Sequence, residues 1–337
     1  MIEISVKENL EKYLLDKNIV DKNIPYSYFY CNGGVSCTVV FLRRGSEEMI
    51  IKQALAQLKT AETWLCDQNR MYIEQESNSI YHLLVPDCAP EVYFYDSENY
   101  IYGRKAAPEN ARMWKTDLLS GRFDFNVSRK VISSLATVHE KCANNPEIYE
   151  KFKDKSIFYD LRISPYIEFT AKKYPELKDL AGHVSAFLMD SSITLVHGDF
   201  SPKNIMIDND DVYILDYEVA HYGHPAFDLA FFTNHFLLKM VKNKRYSLAT
   251  ANMINEMLDL YFENISYMDK PKLKEDFTKL LALLFLARVD GKSPAEYITD
   301  ENDKKMIREI ALKIISTELF DYKKILKLTL LYTGGDI

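Results

Sequence analysis

The chain has 337 residues, enough for two compact units, and its 47% hydrophobic and 27% charged residues are the balance of an ordinary globular protein. A formal net charge of -7 and the lack of any Lys/Arg-dense stripe argue against nucleic acid as a main partner. The five cysteines are scattered with no C-x-x-C, which gives no support to a disulfide framework or a zinc site and suits reduced thiols in a cytoplasmic protein. The acid-bearing opening MIEISVKENLEKYLL reads as no secretory leader, and no apolar run is long enough to span a bilayer, so no membrane partner is expected.

Residues 5–16 place Val6, Leu10, Tyr13 and Leu14 at helical spacing and predict an amphipathic opening helix. Strand-like runs follow at residues 26–30, 38–42 and 49–52, separated by Asn32-Gly33-Gly34-Val35-Ser36 and by Arg43-Arg44-Gly45-Ser46-Glu47-Glu48. Gly33 and Gly34 lack Cβ atoms and let backbone N–H groups approach phosphate oxygens, although a plain hairpin turn has the same composition. Lys52 closes an apolar strand, where a lone lysine is placed to grip α- and β-phosphates. Residues 70–84 read as a helix carrying Glu74 and Glu76, and residues 90–96 and 100–102 as a hairpin, after which Gly103-Arg104-Lys105 leaves the sheet.

From about Met113 the pattern turns helical. Residues 114–121 end on the helix-stopping Gly121, and residues 127–142 are amphipathic, with His139 read as a structural hydrogen bonder. Residues 158–166 are expected to be a polar-aromatic connection before helices at about 167–173 and 177–189. Further helices are expected at 229–240, 253–262, 273–288, 306–319 and 322–331. His221-x-x-His224 lacks thiolate company and does not read as a zinc pair. Gly291-Lys292-Ser293 is no P-loop, since Leu286 stands where the first glycine belongs and no strand precedes it.

The densest signal lies between Leu195 and Asp228, LVHGDFSPKNIMIDNDDVYILDYEVAHYGHPAFD. Ile205-Met206-Ile207 and Val212-Tyr213-Ile214-Leu215 are two short strands around a tight turn, so a hairpin brings Asn204 near Asp216, with Asp199 one loop away. Asn204 and Asp216 offer the hard oxygens that a magnesium ion on triphosphate prefers, and Asp199 is placed to orient an acceptor hydroxyl and take its proton. An ordinary hairpin with a solvated acidic turn is the plainer alternative.

The phrase HGDxxxxN followed by I-L-D-Y-E resembles the aminoglycoside phosphotransferase and choline kinase family, which shares the protein-kinase-like fold. N-G-G-x-S and I-I-K-Q-A-L are similar to the glycine loop and lysine strand of that family. The resemblance implies an α+β, two-lobed protein-kinase-like fold, with a small antiparallel-sheet N-lobe at residues 1–104 and a larger, mostly helical C-lobe at 105–337. It implies a small-molecule kinase: Asp199 as base, Asn204 and Asp216 on Mg2+, and Gly33, Gly34, Ser36 and Lys52 on ATP, with GTP as the alternative. Family spacing favours Glu74 as the partner of Lys52, while the apolar stripe of the helix favours Glu76. Residues 103–108 fall where the hinge that holds the base would lie, Asp228 would brace the catalytic loop backbone or cap its helix, and Glu218 would touch metal through water or bond the loop. Arg288 and Lys292 would hold an anionic or polyhydroxyl substrate, or else form a helix-end turn pinned by a salt bridge. The acceptor stays open among sugar, amino-alcohol and antibiotic hydroxyls, and monomer and homodimer both remain. Methylthioribose kinases are similar in the K-Q-A-L strand, although Asn204 stands where a serine is associated with that group. Two rival readings are a catalytically silent nucleotide-binding protein and a metal-dependent phosphoesterase using His197, Asp199 and Asp216.

Overall fold

The computed structural model describes residues 2–31, 36–57 and 66–334. Gly33 and Gly34 lie outside the described residues. The chain divides into two compact units, residues 1–109 and 110–337.

The first unit opens with α1 (Lys7–Asp16), followed by β1 (Tyr26–Tyr30), β2 (Cys37–Arg44), β3 (Glu47–Ala54), α2 (Arg70–Leu84), β4 (Val92–Asp96) and β5 (Ile101–Lys105). The strands form one antiparallel sheet in the order β1-β2-β3-β5-β4. Alternation along the strands assigns the two faces. Val40, Leu42, Met49, Ile51 and Ile101 bury themselves against Leu10, Tyr13 and Leu14 of α1. Lys52, one residue on from Ile51, points to the other face, where Cys37, Ala54 and Tyr102 pack with Met71 of α2. Tyr102 is the cross-strand partner of Lys52.

The strand does not leave the sheet at Gly103. β5 continues through Lys105, with Ile51 opposite Gly103 and Ile50 opposite Arg104, and the Ala106 N–H still bonds Glu48 O at 3.0 Å. Gly103 serves packing rather than an exit: a Cβ there would lie 2.2 Å from the Phe94 ring, beside a register shift in β4. Arg104 is buried, and its Nη1 donates to Lys105 O, so the expected hinge at 103–108 begins as strand.

The second unit contains β6 (Arg112–Met113), α3 (Trp114–Leu119), α4 (Phe125–Cys142), α5 (Pro146–Phe152) and α6 (Ser156–Phe158). A π-helical stretch (Tyr159–Glu168) then continues into α7 (Phe169–Lys173), followed by α8 (Lys178–Asp190). The expected connection at 158–166 is therefore helical, and the wide turns accommodate Pro165 inside it. Next come β7 (Thr194–Val196), β8 (Ile205–Asp208), β9 (Asp211–Ile214) and β10 (His221–Gly223). The unit closes with α9 (Ala226–Lys242), α10 (Ser247–Glu263), α11 (Lys270–Asp290), α12 (Glu301–Ser316) and α13 (Tyr322–Thr333). β7 pairs with β10, and β6, β8 and β9 form a second small sheet. α9 packs against α10, α11, α12 and α13 and is buried almost throughout, as its run of Phe, Leu and Ala requires. No helix among the described residues is long and apolar enough to cross a membrane.

Candidate active site

β7 delivers the turn from His197 to Asn204. Gly198 adopts φ +75°, and a Cβ there would lie 2.4 Å from Val219 O, so only glycine fits both the conformation and the space. The turn is held from behind by Asp228, in the first turn of α9. Its carboxylate accepts from His197 N at 2.7 Å, Gly198 N at 2.9 Å and His139 Nε2 at 3.2 Å. It braces the turn and does not cap its own helix, whose N-cap is Pro225. His139 bonds Tyr261 OH through Nδ1 at 2.7 Å and is a structural link. Burial works against the Asp228 charge, yet His139 and the amides outweigh it and hold its pKa below the ordinary carboxylate value.

Asp199 is buried inside a cage of donors. Arg162 Nη2 lies 3.1 Å from Oδ1, Lys203 Nζ 2.9 Å from Oδ2, and Asn204 Nδ2 donates to Oδ2 at 2.8 Å and to Asp199 O at 3.0 Å. Arg162 Nε also donates to Gly198 O at 2.7 Å, fixing its fork against the turn. Burial and the neighbouring Asp216 raise the Asp199 pKa, but Lys203 and Arg162 prevail and keep it ionised below its usual range. The backbone N–H of Asp199 donates to His197 Nδ1 at 3.2 Å. Burial keeps His197 neutral, against the fields of Asp228 and Asp199. His197 is fully buried.

The hairpin of β8 and β9 pairs Ile205 with Ile214, and Leu215 N bonds Asn204 O at 2.9 Å, which sets Asn204 beside the residue preceding Asp216. Asp216 sits at φ +72°, a left-handed conformation that aspartate tolerates better than most side chains and that marks functional turns. The Asn204 amide nitrogen is committed to Asp199, which turns its oxygen the other way. A carboxylate and an amide oxygen on one hairpin end are a hard-oxygen donor set and fit a divalent cation such as Mg2+. Asp199, Asn204 and Asp216 thus converge within the second unit.

In the first unit, Lys52 Nζ lies 2.5 Å from Glu74 Oε1, and Tyr102 OH donates to the same oxygen at 2.8 Å. Glu74 is thus bonded to Lys52, and Glu76 accepts from Gln75 Nε2 at 2.9 Å. The pair is buried, and burial together with Glu74 raises the Tyr102 pKa, keeping its hydroxyl a donor. The backbone carbonyl of Ser36 accepts from Arg70 Nη2 at 2.5 Å. Arg70 is fully buried and also donates to Leu55, Cys66 and Asp67 carbonyls, clasping the start of α2 to the sheet.

Sequence reasoning missed Arg162, Lys203 and Tyr102. Lys203 stood inside the D-x-x-x-x-N phrase, and Tyr102 opposite Lys52 follows from strand alternation. Arg162 was hidden by the π-helical winding. Arg288 does form a helix-end turn, through Ser293 O at 2.6 Å rather than a salt bridge, and Lys292 N bonds Pro165 O at 3.0 Å. His221 stacks on Phe158 at 3.8 Å and His224 faces Asp276 at 3.5 Å, so they serve different contacts.

Residues 158–239 match the family model described as the phosphotransferase enzyme family. Methylthioribose kinase 2 of Oryza sativa subsp. japonica is 23% identical over 251 residues, covering 66% of this chain and 56% of its own length. The chain therefore spans about half the length of the curated relatives it matches. A choline/ethanolamine kinase family protein from Mesorhizobium loti superposes with TM-score 0.55 at 13% identity, over 96% of this chain and 98% of the other. An amicoumacin kinase solved with AMP-PNP and Ca2+ superposes with TM-score 0.53 at 10% identity, over 95% of this chain and 100% of the other. The chain carries the match to the phosphotransferase enzyme family across residues 158–239, which include the turn from His197 to Asn204, and its fold is the α+β, protein-kinase-like fold of the aminoglycoside phosphotransferases and choline kinases.

Proposed function

We propose that this protein transfers the γ-phosphoryl group of ATP, or of GTP, to a hydroxyl of a small molecule. The observation that carries the reading is the ionised, buried Asp199 held by Arg162, Lys203 and Asn204 on a turn fixed by Asp228. A carboxylate so held is an orienter first. It accepts a hydrogen bond from the acceptor hydroxyl and aims its oxygen at the phosphorus.

In the transfer, the acceptor oxygen forms the new bond to the γ-phosphorus. The bond from that phosphorus to the bridging oxygen breaks, its electron pair stays on the leaving nucleoside diphosphate, and the acceptor proton passes to Asp199. The depressed pKa of Asp199 suits a proton that moves late, after the hydroxyl has become acidic through bonding to phosphorus. Lys203 and Arg162 stand beside the charge that develops. Asn204 and Asp216 would hold Mg2+, which supplies charge neutralisation on the phosphates. Lys52, positioned by Glu74 and Tyr102, is assigned to the α- and β-phosphates, with Gly33, Gly34 and Ser36 contributing backbone N–H groups.

The test is ADP release from the purified chain with Mg2+ and ATP across a panel of hydroxyl compounds, with Asp199→Asn as blank. Acceptor-stimulated turnover should fall roughly 100- to 10,000-fold in that variant. Stimulation that survives Asp199→Asn would refute the assignment.

A further inference from the structure

We infer that the acceptor carries an anionic group, carboxylate or phosphate, in addition to the hydroxyl that is phosphorylated, and that Arg288 and Lys239 bind it. The inference rests on the phosphotransferase reading above and names its substrate class.

Arg288 on α11 is buried and makes no ion pair among the described residues, although Glu296 lies within its field. Its Nη1 donates to Ser293 O at 2.6 Å and to Tyr166 OH at 3.1 Å, while its buried Nε meets no acceptor among the described residues. Closing the end of α11 accounts for Nη1 alone. A guanidinium cannot shed its proton, so a buried one needs an anion or a full set of dipoles. The unspent Nε side is the edge that a carboxylate or phosphate takes in bidentate fashion.

This cation stands close to the reacting group. Tyr166 shares the π-helical stretch with Arg162, and Arg162 is the cation on Asp199. One ring links them: Phe231 lies 5.5 Å from the Arg162 guanidinium, 5.9 Å from Tyr166 and 5.0 Å from His235. Burial raises the Tyr166 pKa, but Arg288 and Arg162 outweigh it and leave it below its usual value, so the local field favours negative charge.

Lys239 adds a buried amine without a carboxylate in salt-bridge reach among the described residues, one that a bound anion would hold protonated. Its Nζ donates to His235 O at 3.0 Å and lies 5.4 Å from the Tyr297 ring centre, whose buried hydroxyl meets no partner among the described residues. Burial, with Lys115 beside it, pushes the Lys239 pKa down to about 7. His235, between these groups, is buried and held neutral by burial and by the fields of Arg288, Lys239, Lys203 and Lys115. Glu296, the carboxylate nearest in effect to Lys239, is bonded to Lys115. A neutral polyol would fill the hydrogen bonds but leave the charge uncompensated, and an ammonium-bearing acceptor would meet charge of its own sign.

The experiment measures ADP release from the full chain with Mg2+ and ATP on three matched groups of hydroxyl compounds: neutral, amine-bearing and acid-bearing. The acid group is divided into carboxylates, such as gluconate, and phosphates, such as glucose 6-phosphate. Turnover above the Asp199→Asn blank is expected in the acid group alone, and the subgroup identifies the anion. Arg288→Met should raise KM for the accepted acid at least tenfold with kcat changed less than threefold, and Arg288→Lys should recover part of the loss. Lys239→Met gives the same reading where Arg288→Met fails to fold. Turnover confined to neutral or amine-bearing compounds overturns the inference and leaves the phosphotransferase standing. An unchanged KM in both variants also overturns it. No turnover in any group overturns the phosphotransferase reading itself.

Discussion

Asp228→Asn replaces one carboxylate oxygen by an NH2 group and should loosen the turn from His197 to Asn204. The carboxylate accepts from His197 N and His139 Nε2 on Oδ2 and from Gly198 N on Oδ1, all in a fully buried site. Whichever way the amide is turned, its NH2 faces one of these backbone N–H groups. One charge-assisted bond, about 1.5–3 kcal/mol, is lost, and a buried donor is left facing a donor at about 1–3 kcal/mol more. The sum is about 2.5–6 kcal/mol, which for a unit of this size lowers Tm by roughly 5–24 °C. The sign with pH follows from the depressed pKa of Asp228. A carboxylate with a lowered folded pKa contributes stability above its unfolded value of about 3.9, and that contribution is lost as pH falls through the folded pKa. The gap in Tm between the two proteins should therefore be full at pH 7 and narrow on strong acidification. Thermal melts followed by near-UV circular dichroism measure both. A shift under about 2 °C at pH 7 would show that the turn does not depend on this carboxylate.

Three further outcomes are expected. Glu74→Gln removes the Glu74 charge from the buried Lys52 ammonium, which should destabilise the fold and raise KM for ATP; an unaltered KM with unaltered unfolding would remove Glu74 from the nucleotide assignment. Gly198→Ala drives a Cβ into Val219 O at a left-handed φ, so soluble yield or Tm should fall sharply, and a variant that melts like the parent refutes the close approach. His221 is held by burial with a pKa of about 4, so its folded state resists protonation below the unfolded value of about 6.5. Stability should then decline by about 1.4 kcal/mol per pH unit on acidification between those values, and His221→Gln should flatten that slope in urea melts at stepped pH.

Local alternation made the first unit legible. Apolar residues every second position assigned the faces of β2 and β3, and the same period turned Lys52 toward α2. The D-x-x-x-x-N spacing and the short hairpin likewise placed Asn204 beside the approach to Asp216, because a two-strand turn leaves little freedom. What the chain hid depends on contacts distant in sequence. Gly103-Arg104-Lys105 has the composition of an exit, and only the Phe94 ring explains why glycine stands inside a strand. Tyr159 to Glu168 contains a proline and few aliphatics, so no 3.6-residue period announces it, yet its wide turns carry Arg162 onto Asp199. The position of Arg288 after an apolar helix fits a helix-end clamp or a substrate ligand, and the structure shows the clamp, through Ser293 O and Tyr166 OH.

The wide turns beneath Arg162 also set a bound on how this protein can drift. A π-helical segment holds more residues per turn than an α-helix, so removal of a single residue between Tyr159 and Glu168 lets it relax into the commoner winding. Every side chain upstream would then swing by about 100° relative to those downstream. Arg162 and Tyr166 would part from their partners together, although no contact residue had been replaced. The indexing of this helix is thus a vulnerability of its own: a one-codon deletion would take Arg162 from Asp199 without replacing either residue.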